Sequence, residues 1–132
     1  MKAGARALGV AESYTGSHST VAGAVVRADR VVDGFAFDRW TVGGTDATDT
    51  TIALLRRLNR PDVRYLLLSG IAPAWFNLLD LRRLHDATAL PTLSVSFEES
   101  PGLADTIRRE FDGPACRRRL ATYYAQPDRR RR

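Results

Sequence analysis

The sequence predicts one α/β domain with a mixed sheet, and three observations lead to this prediction. The N-terminal third contains apolar runs rich in Val and Phe, which is typical of strands. The rest of the chain alternates short apolar runs with segments whose Leu and Ile residues recur at helical spacing. A length of 132 residues with 44% apolar residues is enough for one core. This order of segments predicts a sheet with helices on both faces.

Three strands are predicted first. Residues 5–12 contain an apolar run in which Leu8 and Val10 face the core. Residues 19–27 and 30–37 are separated by a two-residue turn, and this spacing predicts an antiparallel hairpin.

Two later runs predict further strands. Residues 63–70 form a short apolar run bounded by Pro-Asp and Gly, which indicates a strand buried on both faces. Residues 91–98 alternate in polarity, and we expect their apolar side chains to face inward. These side chains are Leu93, Val95 and Phe97.

Four helices complete the pattern. Asp46, or the threonine before it, can cap the first helix. Asn77 is the predicted N-cap of the second helix, with Asp80 at the capping-box position. Pro101 and Pro114 stand where proline favours the first turn of a helix, so they predict the starts of the last two.

The predicted element order is β-β-β-α-β-α-β-α-α, which is the order of the ribonuclease H-like fold. We place residues 1–125 in this single domain. Residues 126–132 are Gln-Pro-Asp followed by four arginines, a composition with no apolar side chain to bury. We therefore expect them to form a basic, disordered tail.

Candidate chemistry lies where the parallel strands end, because ligands of open α/β sheets gather outside the carboxyl ends of the strands. Carboxylates at that edge can hold divalent cations. Glu12 and Asp46 are our candidates for catalysis and for a weak metal site. Each has an alternative: Glu12 as a surface charge, and Asp46 as a helix cap. Asp49 and Asp80 also fall in first turns of helices, where acids stabilise the helix dipole.

A further set of residues near the same strand ends is predicted to contact a substrate. Trp75 and Phe76 could stack on a nucleic-acid base, although aromatic residues in such loops more often anchor the core. The full set is Ser13, Tyr14, Ser69, Trp75, Phe76 and Asn77.

The positive charge is concentrated at the C-terminus. The chain carries a net charge of +5, but residues 115–132 hold seven arginines and one aspartate, which leaves −1 for the other 114 residues. Such a tail can bind nucleic acid through its phosphates or can simply be solvated.

Cys116 is the one cysteine, which fits the reducing cytoplasm. No run reaches the roughly 18 apolar residues of a membrane span, so we expect no membrane partner. The pattern gives no oligomeric state.

Five blocks of the sequence resemble a known family. They are LGVAESY, VVRADRVVDGFAF, TVGGTDATD, LLLSGIAPAWFNLLDL and LPTLSVSF, in this order over residues 5 to about 125. They resemble the archaeal endonuclease dU family, which is related to endonuclease V. The resemblance implies a ribonuclease H-like fold. For active relatives it implies cleavage of nucleic acid at deaminated bases with Mg²⁺ or Mn²⁺, a step of DNA repair. It also implies that members continue past the arginine run.

Two acids that the resemblance implies are missing. In endonuclease V the first strand ends Gly-Val-Asp and the aspartate binds metal, whereas this sequence has Ala11 there. The fourth strand of those enzymes ends Asp-Gly, whereas Ser69 precedes the glycine here. Glu12 matches the second of two consecutive acids in some members. Adjacent strand residues point to opposite faces, so Glu12 cannot replace the acid at position 11.

The sequence supports two interpretations of function. In the first, the chain is a nucleic-acid-binding or processing protein whose metal-dependent cleavage is weakened or lost, with Glu12 and Asp46 as a reduced acidic site. In the second, it is a noncatalytic module that uses the same fold to bind a protein. A polar pocket beside Glu12, Asp46 and Ser69 would favour the first, and a continuous apolar patch over the final helix the second.

Overall fold

The structure is a computed structural model that describes residues 4–96 and 102–128. The strands are β1 (Arg6–Thr15), β2 (His18–Arg27), β3 (Val32–Thr41), β4 (Val63–Ser69) and β5 (Thr92–Val95). The helices are α1 (Ala47–Leu58), α2 (Pro73–Phe76), α3 (Leu81–Thr88), α4 (Ala104–Glu110) and α5 (Gly113–Tyr124). Within the described ranges, no helix is long and apolar enough to span a membrane.

The five strands form one mixed sheet in the order β3-β2-β1-β4-β5. Strands β1, β2 and β3 pair antiparallel, while β4 runs parallel to both β1 and β5. The predicted α/β class is therefore confirmed. The more specific ribonuclease H-like assignment stays a prediction with which this strand order agrees.

The core lies between one face of the sheet and helices α1 and α3. Alternate residues of the central strands point to this face, including Leu8 of β1 and Leu66 of β4, and both are fully buried. Leu54 of α1 and Leu84 of α3 pack against this face from the helix layer and are equally buried. Further members are Val10, Val21, Val25, Trp40, Ala47, Ile52, Val63, Leu68, Ala74 and Leu79.

The opposite face of the sheet corrects two predictions. Leu93 and Val95 of β5 were expected to face inward, but their side chains lie on this second face and are 54% and 45% exposed. Leu67 of β4 points the same way and is 37% exposed, so β4 is buried on one face and not on two. Helices were expected on both faces, whereas the residues described here leave the second face open. The apolar alternation indicated strands correctly, but it could not say which face the helices would cover.

The start of helix α3 differs from expectation. Asp80 is itself the N-cap of α3, because its carboxylate accepts a hydrogen bond of 3.1 Å from the Arg83 backbone N–H. Asn77 does not cap α3; its side chain serves α1 instead. The boundary at residue 125 also shifts, because the Gln126 side chain accepts from the Leu81 N–H and donates to the Leu79 carbonyl. Residues 129–132 of the predicted tail lie outside the described ranges.

Candidate functional site

The candidate site lies where the parallel pairing of β1 with β4 ends, at Val10 and Leu68. Glu12 lies two residues past this pair, in a strand that continues to Thr15, and Ser69 is the last residue of β4. A cavity of about 170 Å³ opens between these strand ends and the loop that follows β4. Its lining residues are Val10, Ala11, Glu12, Trp40, Leu68, Ser69, Pro73 and Leu79. Asp46 does not line it.

The carboxylate of Glu12 is bound by the protein on both of its oxygens. The hydroxyl of Ser19, a fully buried residue of β2, donates to Oε2 at 2.6 Å. The backbone N–H of Ala74 donates to Oε1 at 3.0 Å. Glu12 therefore joins three separate parts of the chain: β1, β2 and the α2 segment. These contacts are those of a structural brace.

The α2 segment has an uncommon backbone that explains why such a brace is needed. Ala74, Trp75 and Phe76 have φ angles of +48°, +54° and +58°, the left-handed region that side chains with a Cβ disfavour. Each such residue costs roughly 1–2 kcal/mol. The turn is held from within by the Asn77 N–H, which donates to the Pro73 carbonyl at 3.0 Å. Three consecutive residues in this region persist only where surrounding contacts fix them.

Asn77 is the buried centre of the site. Its Oδ1 accepts from the backbone N–H of Ala47 at 2.9 Å, which satisfies the first N–H of α1. Its Nδ2 donates to the Thr41 carbonyl at 2.9 Å and to the Asp46 carboxylate at 2.6 Å. The residue is fully buried, so these bonds leave little of the amide for a ligand. Asn77 was predicted to contact substrate, but the structure gives it the role of joining the α2 segment to α1.

Asp46 is held in the same network. The Thr41 backbone N–H and hydroxyl donate to its two oxygens at 3.1 and 2.7 Å. Burial alone would raise the pKa of this carboxyl, but the hydrogen bonds from Asn77 and Thr41 outweigh it and lower the pKa below its ordinary value. Asp46 therefore stays ionised at neutral pH and is committed to structural donors.

Arg119 of α5 is a part of the site that the sequence did not single out. Its guanidinium, in a residue only 5% exposed, donates to the carbonyls of Gly43 at 2.7 Å and Phe76 at 3.1 Å. It also lies 3.9 Å from the centre of the Phe111 ring. Burial, with a smaller contribution from Arg118, lowers its pKa. It ties α5 to both loops of the site. Helical spacing offered a signal, because Arg119 and Tyr123 are four residues apart and share the inner side of α5.

The remaining residues that the sequence singled out lie partly on the α2 segment and partly in other regions of the chain. Trp75 is 45% exposed and its ring meets that of Phe76 edge-on at 5.1 Å, so it presents an aromatic surface on the α2 segment, although it does not line the cavity. Phe76 in turn packs on Phe111 at 6.0 Å. Ser13 is exposed, and the side chain of Tyr14 lies outside what the structure describes. Asp49 pairs with Arg83, away from this network.

The donor set does not fit a divalent metal ion well. Hard cations such as Mg²⁺ need several oxygen ligands that converge on one point. Across residues 4–96 and 102–128, no three His, Cys, Asp or Glu side chains are grouped to hold an ion. Ala11 contributes no donor, and the hydroxyl of Ser69 is neutral. Glu98 and Glu99 follow β5 but lie outside the described residues.

One polar atom in the cavity wall has no partner. The indole Nε1–H of Trp40 is buried and makes no hydrogen bond within the described part of the chain. A buried donor without an acceptor costs roughly 1–3 kcal/mol.

Comparison with known proteins gives matches of two kinds. A family model described as Endonuclease dU matches residues 3–132. A UPF0215 protein of Methanopyrus kandleri is 36% identical over 106 residues, which are 77% of this chain and 53% of that protein. A UPF0215 protein of Pyrobaculum calidifontis is 35% identical over 107 residues, 79% of this chain and 59% of its own. The chain thus spans little more than half the length of these relatives.

A solved structure is also similar. It is a protein of unknown function from Archaeoglobus fulgidus, with a TM-score of 0.80 and 26% sequence identity. The match covers 89% of this chain and 68% of that one. The α/β architecture described above is therefore shared with an archaeal protein that is longer than this chain.

Proposed function

This chain belongs to the endonuclease dU family, and we propose that within it the chain binds nucleic acid without efficient metal-dependent cleavage. The observation that carries this proposal is the state of Glu12, whose two carboxylate oxygens are taken by Ser19 and Ala74. An acid that must hold the fold in this way is poorly placed to serve as a metal ligand or a base.

The rest of the strand edge supports the same conclusion. Two-metal cleavage of a phosphodiester needs acids that clamp the attacking and leaving oxygens. Ala11 lies just past the last residue of β1 that pairs with β4, and Ser69 ends β4; neither is an acid. The carboxylate of Asp46 is bound by Thr41 and Asn77. Mg²⁺ or Mn²⁺ therefore remains a predicted cofactor of active relatives.

The features that favour nucleic acid are the exposed Trp75 and the basic C-terminus. An exposed indole can stack on a base, since every base has a π face. The arginines of residues 115–132 other than the buried Arg119 can contact phosphates. We also propose that the protein acts in the cytoplasm, where a single cysteine such as Cys116 stays reduced, and that its role lies in the handling of deaminated bases.

A cleavage and binding assay tests this function. Single strands that contain uracil or inosine, and matched strands without them, are incubated with the protein in Mg²⁺ or Mn²⁺, and cleavage and binding are measured separately. We expect binding and no cleavage above background. Trp75→Ala should weaken binding, whereas Val31→Ala, which changes an equally exposed side chain elsewhere, should not. Metal-dependent cleavage that Glu12→Gln abolishes would contradict the proposal.

The second interpretation, a module that binds a protein, also has support. The apolar patch that would favour it was expected over the final helix, but the structure places one on the open face of the sheet. Its largest exposed side chains are Phe35, Phe37, Leu67, Leu93 and Val95.

A further inference from the structure

The open face of the sheet has the shape of a trough. Its floor is made of small residues on the two central strands, which are paired across the sheet: Gly9 with Ala24, and Ala11 with Ala22. One wall is β3, where Phe35 and Phe37 pair with Ala24 and Ala22. The rings of these two phenylalanines stack 6.2 Å apart and are 63% and 61% exposed. The other wall is formed by Leu67 on β4 and by Leu93 and Val95 on β5. We call these residues the sheet trough.

Two glycines on adjacent strands show that this trough is empty while the other face is full. A Cβ added at Gly23, which points to the core, would lie 3.1 Å from Leu8 and 3.3 Å from Leu54. A Cβ added at Gly9, which points into the trough, would meet no atom within 4 Å. The small residues of the floor therefore leave open space, and no side chain of the described residues fills it at that position.

An open face is unusual for the parallel half of this sheet. Strands β1, β4 and β5 are parallel, and parallel strands are usually covered on both faces, whereas the antiparallel strands β2 and β3 can leave one face in water. Contiguous apolar surface with large side chains at its margins commonly marks a contact with another polypeptide. In the rows of paired residues from Gly9 to Ala11, the trough contains no charged side chain.

The width of the sheet trough matches the diameter of an α-helix. From β3 to β4 there are three strand spacings, about 14 Å between backbones. An α-helix with its side chains is about 10–12 Å across and fits between walls that far apart. Floor residues as small as Gly and Ala allow the helix to approach the sheet closely. From Gly9 to Ala11 the open floor is about 7 Å long, which corresponds to roughly four to five helical residues, slightly more than one turn.

We propose that the sheet trough is the docking surface for one amphipathic α-helix, supplied by a segment like those that the longer relatives carry outside the matched region. Those relatives have the chain to supply it, since this chain matches only 53% and 59% of the two described above and 68% of the solved one. The helix would place an apolar stripe of Leu, Ile or Ala on the floor between the two walls and keep its polar side in water. This surface adjoins the strand edge to which the proposed function is assigned, because Ala11 belongs both to the trough floor and to the cavity lining, but its two walls are formed by other residues.

The test uses the unmatched part of the Archaeoglobus fulgidus relative as a fluorescently labelled polypeptide. It is titrated with the 132-residue chain, and fluorescence anisotropy reports binding. We expect saturable binding at one to one. Gly9→Leu fills the floor and should weaken binding at least tenfold. Ala53→Leu adds the same side chain on the exposed side of α1 and should change nothing.

A second variant protects the test against a folding defect. Phe37→Ser removes part of a wall at a solvent-exposed position, so it should leave the melting temperature nearly unchanged and still weaken binding severalfold. Absence of saturable binding to the wild type would overturn the proposal, as would equal binding by the Gly9 and Ala53 variants. Sedimentation of the chain alone completes the test: a dimer that Gly9→Leu disrupts would show that a second copy occupies the trough, which also overturns it.

Discussion

Glu12 shows how a residue predicted to be catalytic can stabilise the fold instead. Its carboxylate accepts from Ser19 and from the first N–H of a left-handed turn, and both donors would otherwise lie unpaired in partly buried surroundings. A carboxylate has the capacity to accept several hydrogen bonds, which makes it suited to this role. Nothing in the bonding requires that the group be charged.

The first prediction follows from that last point. Glu12→Ala should lower the free energy of unfolding by about 2 kcal/mol, because it leaves two donors without acceptors. Glu12→Gln should cost less than about 1 kcal/mol, since the amide oxygen can accept from Ala74 and the amide nitrogen can donate to the Ser19 hydroxyl. Urea unfolding of the three proteins measures this. Equal losses in both variants would show that the negative charge itself is required.

The second prediction concerns Asp46, whose pKa is lowered in the folded state. Its hydrogen bonds stabilise the protein fully above the pKa of an unfolded Asp, near 3.9, and this contribution is lost as the pH falls through the lower folded pKa. The stability difference between wild type and Asp46→Asn should therefore be constant from pH 7 to about 5 and shrink below about 4. Urea unfolding across this range measures it. A difference that stays constant down to pH 3 would assign it to geometry and not to charge.

At the scale of elements, the α2 segment decides the shape of the site. It is clamped by Glu12 from β1, by Asn77 toward α1 and by Arg119 from α5. Because each clamp comes from a different element, the turn forms only when sheet and helices have assembled. These contacts therefore hold the exposed indole of Trp75 in a fixed position.

These contacts also explain what the sequence could and could not predict. The strands and α1 followed from local periodicity, and Asp80 was recognised as a helix-start residue. The left-handed turn was not foreseen, because Ala74, Trp75 and Phe76 have no local preference for it. Asn77 looked like a cap for the helix that follows it, yet its amide caps α1, 30 residues earlier in the chain. The orientation of Leu93 was also beyond local pattern, since the alternation of Leu93 and Val95 with Thr92 and Ser94 does not say which face of the sheet the helices cover.

The third prediction concerns the end of α5. Gln126 bonds the backbone of Leu79 and Leu81, so truncation after Ala125 should lower the melting temperature by several degrees. Truncation after Asp128 keeps these bonds and should leave it nearly unchanged. Thermal unfolding of the two truncated chains provides the measurement. If the shorter chain melts like the full one, Gln126 contributes nothing and the domain ends at 125 as the sequence suggested.

For the whole molecule, the distribution of charge governs any contact with nucleic acid. The first 114 residues have a net charge of −1, so the C-terminal arginines supply most of the attraction to phosphate. The exposed Arg117 and Arg118 of α5 lie on the folded body, whereas the last four arginines follow Asp128. Binding should therefore be largely electrostatic and only weakly dependent on sequence.

The fourth prediction tests this distribution. Deletion of residues 129–132 should flatten the dependence of binding affinity on salt, because fewer counterions are released on binding. Affinity for a single strand is measured by fluorescence anisotropy at several salt concentrations, with the full chain as the reference. An unchanged slope would place the phosphate contacts on the folded body.

The central claim is that Glu12 and Asp46 stabilise the fold through their hydrogen bonds. Positions 11 and 69, on this account, no longer provide metal ligands. Calorimetric titration with Mn²⁺ tests it most directly, on the wild type and on Ala11→Asp with Ser69→Asp. The wild type should show no binding below millimolar concentrations. The double variant should bind measurably and melt higher with Mn²⁺ than in chelator, since the two acids repel until an ion joins them. Tight Mn²⁺ binding by the wild type, lost in Glu12→Gln, would contradict the claim.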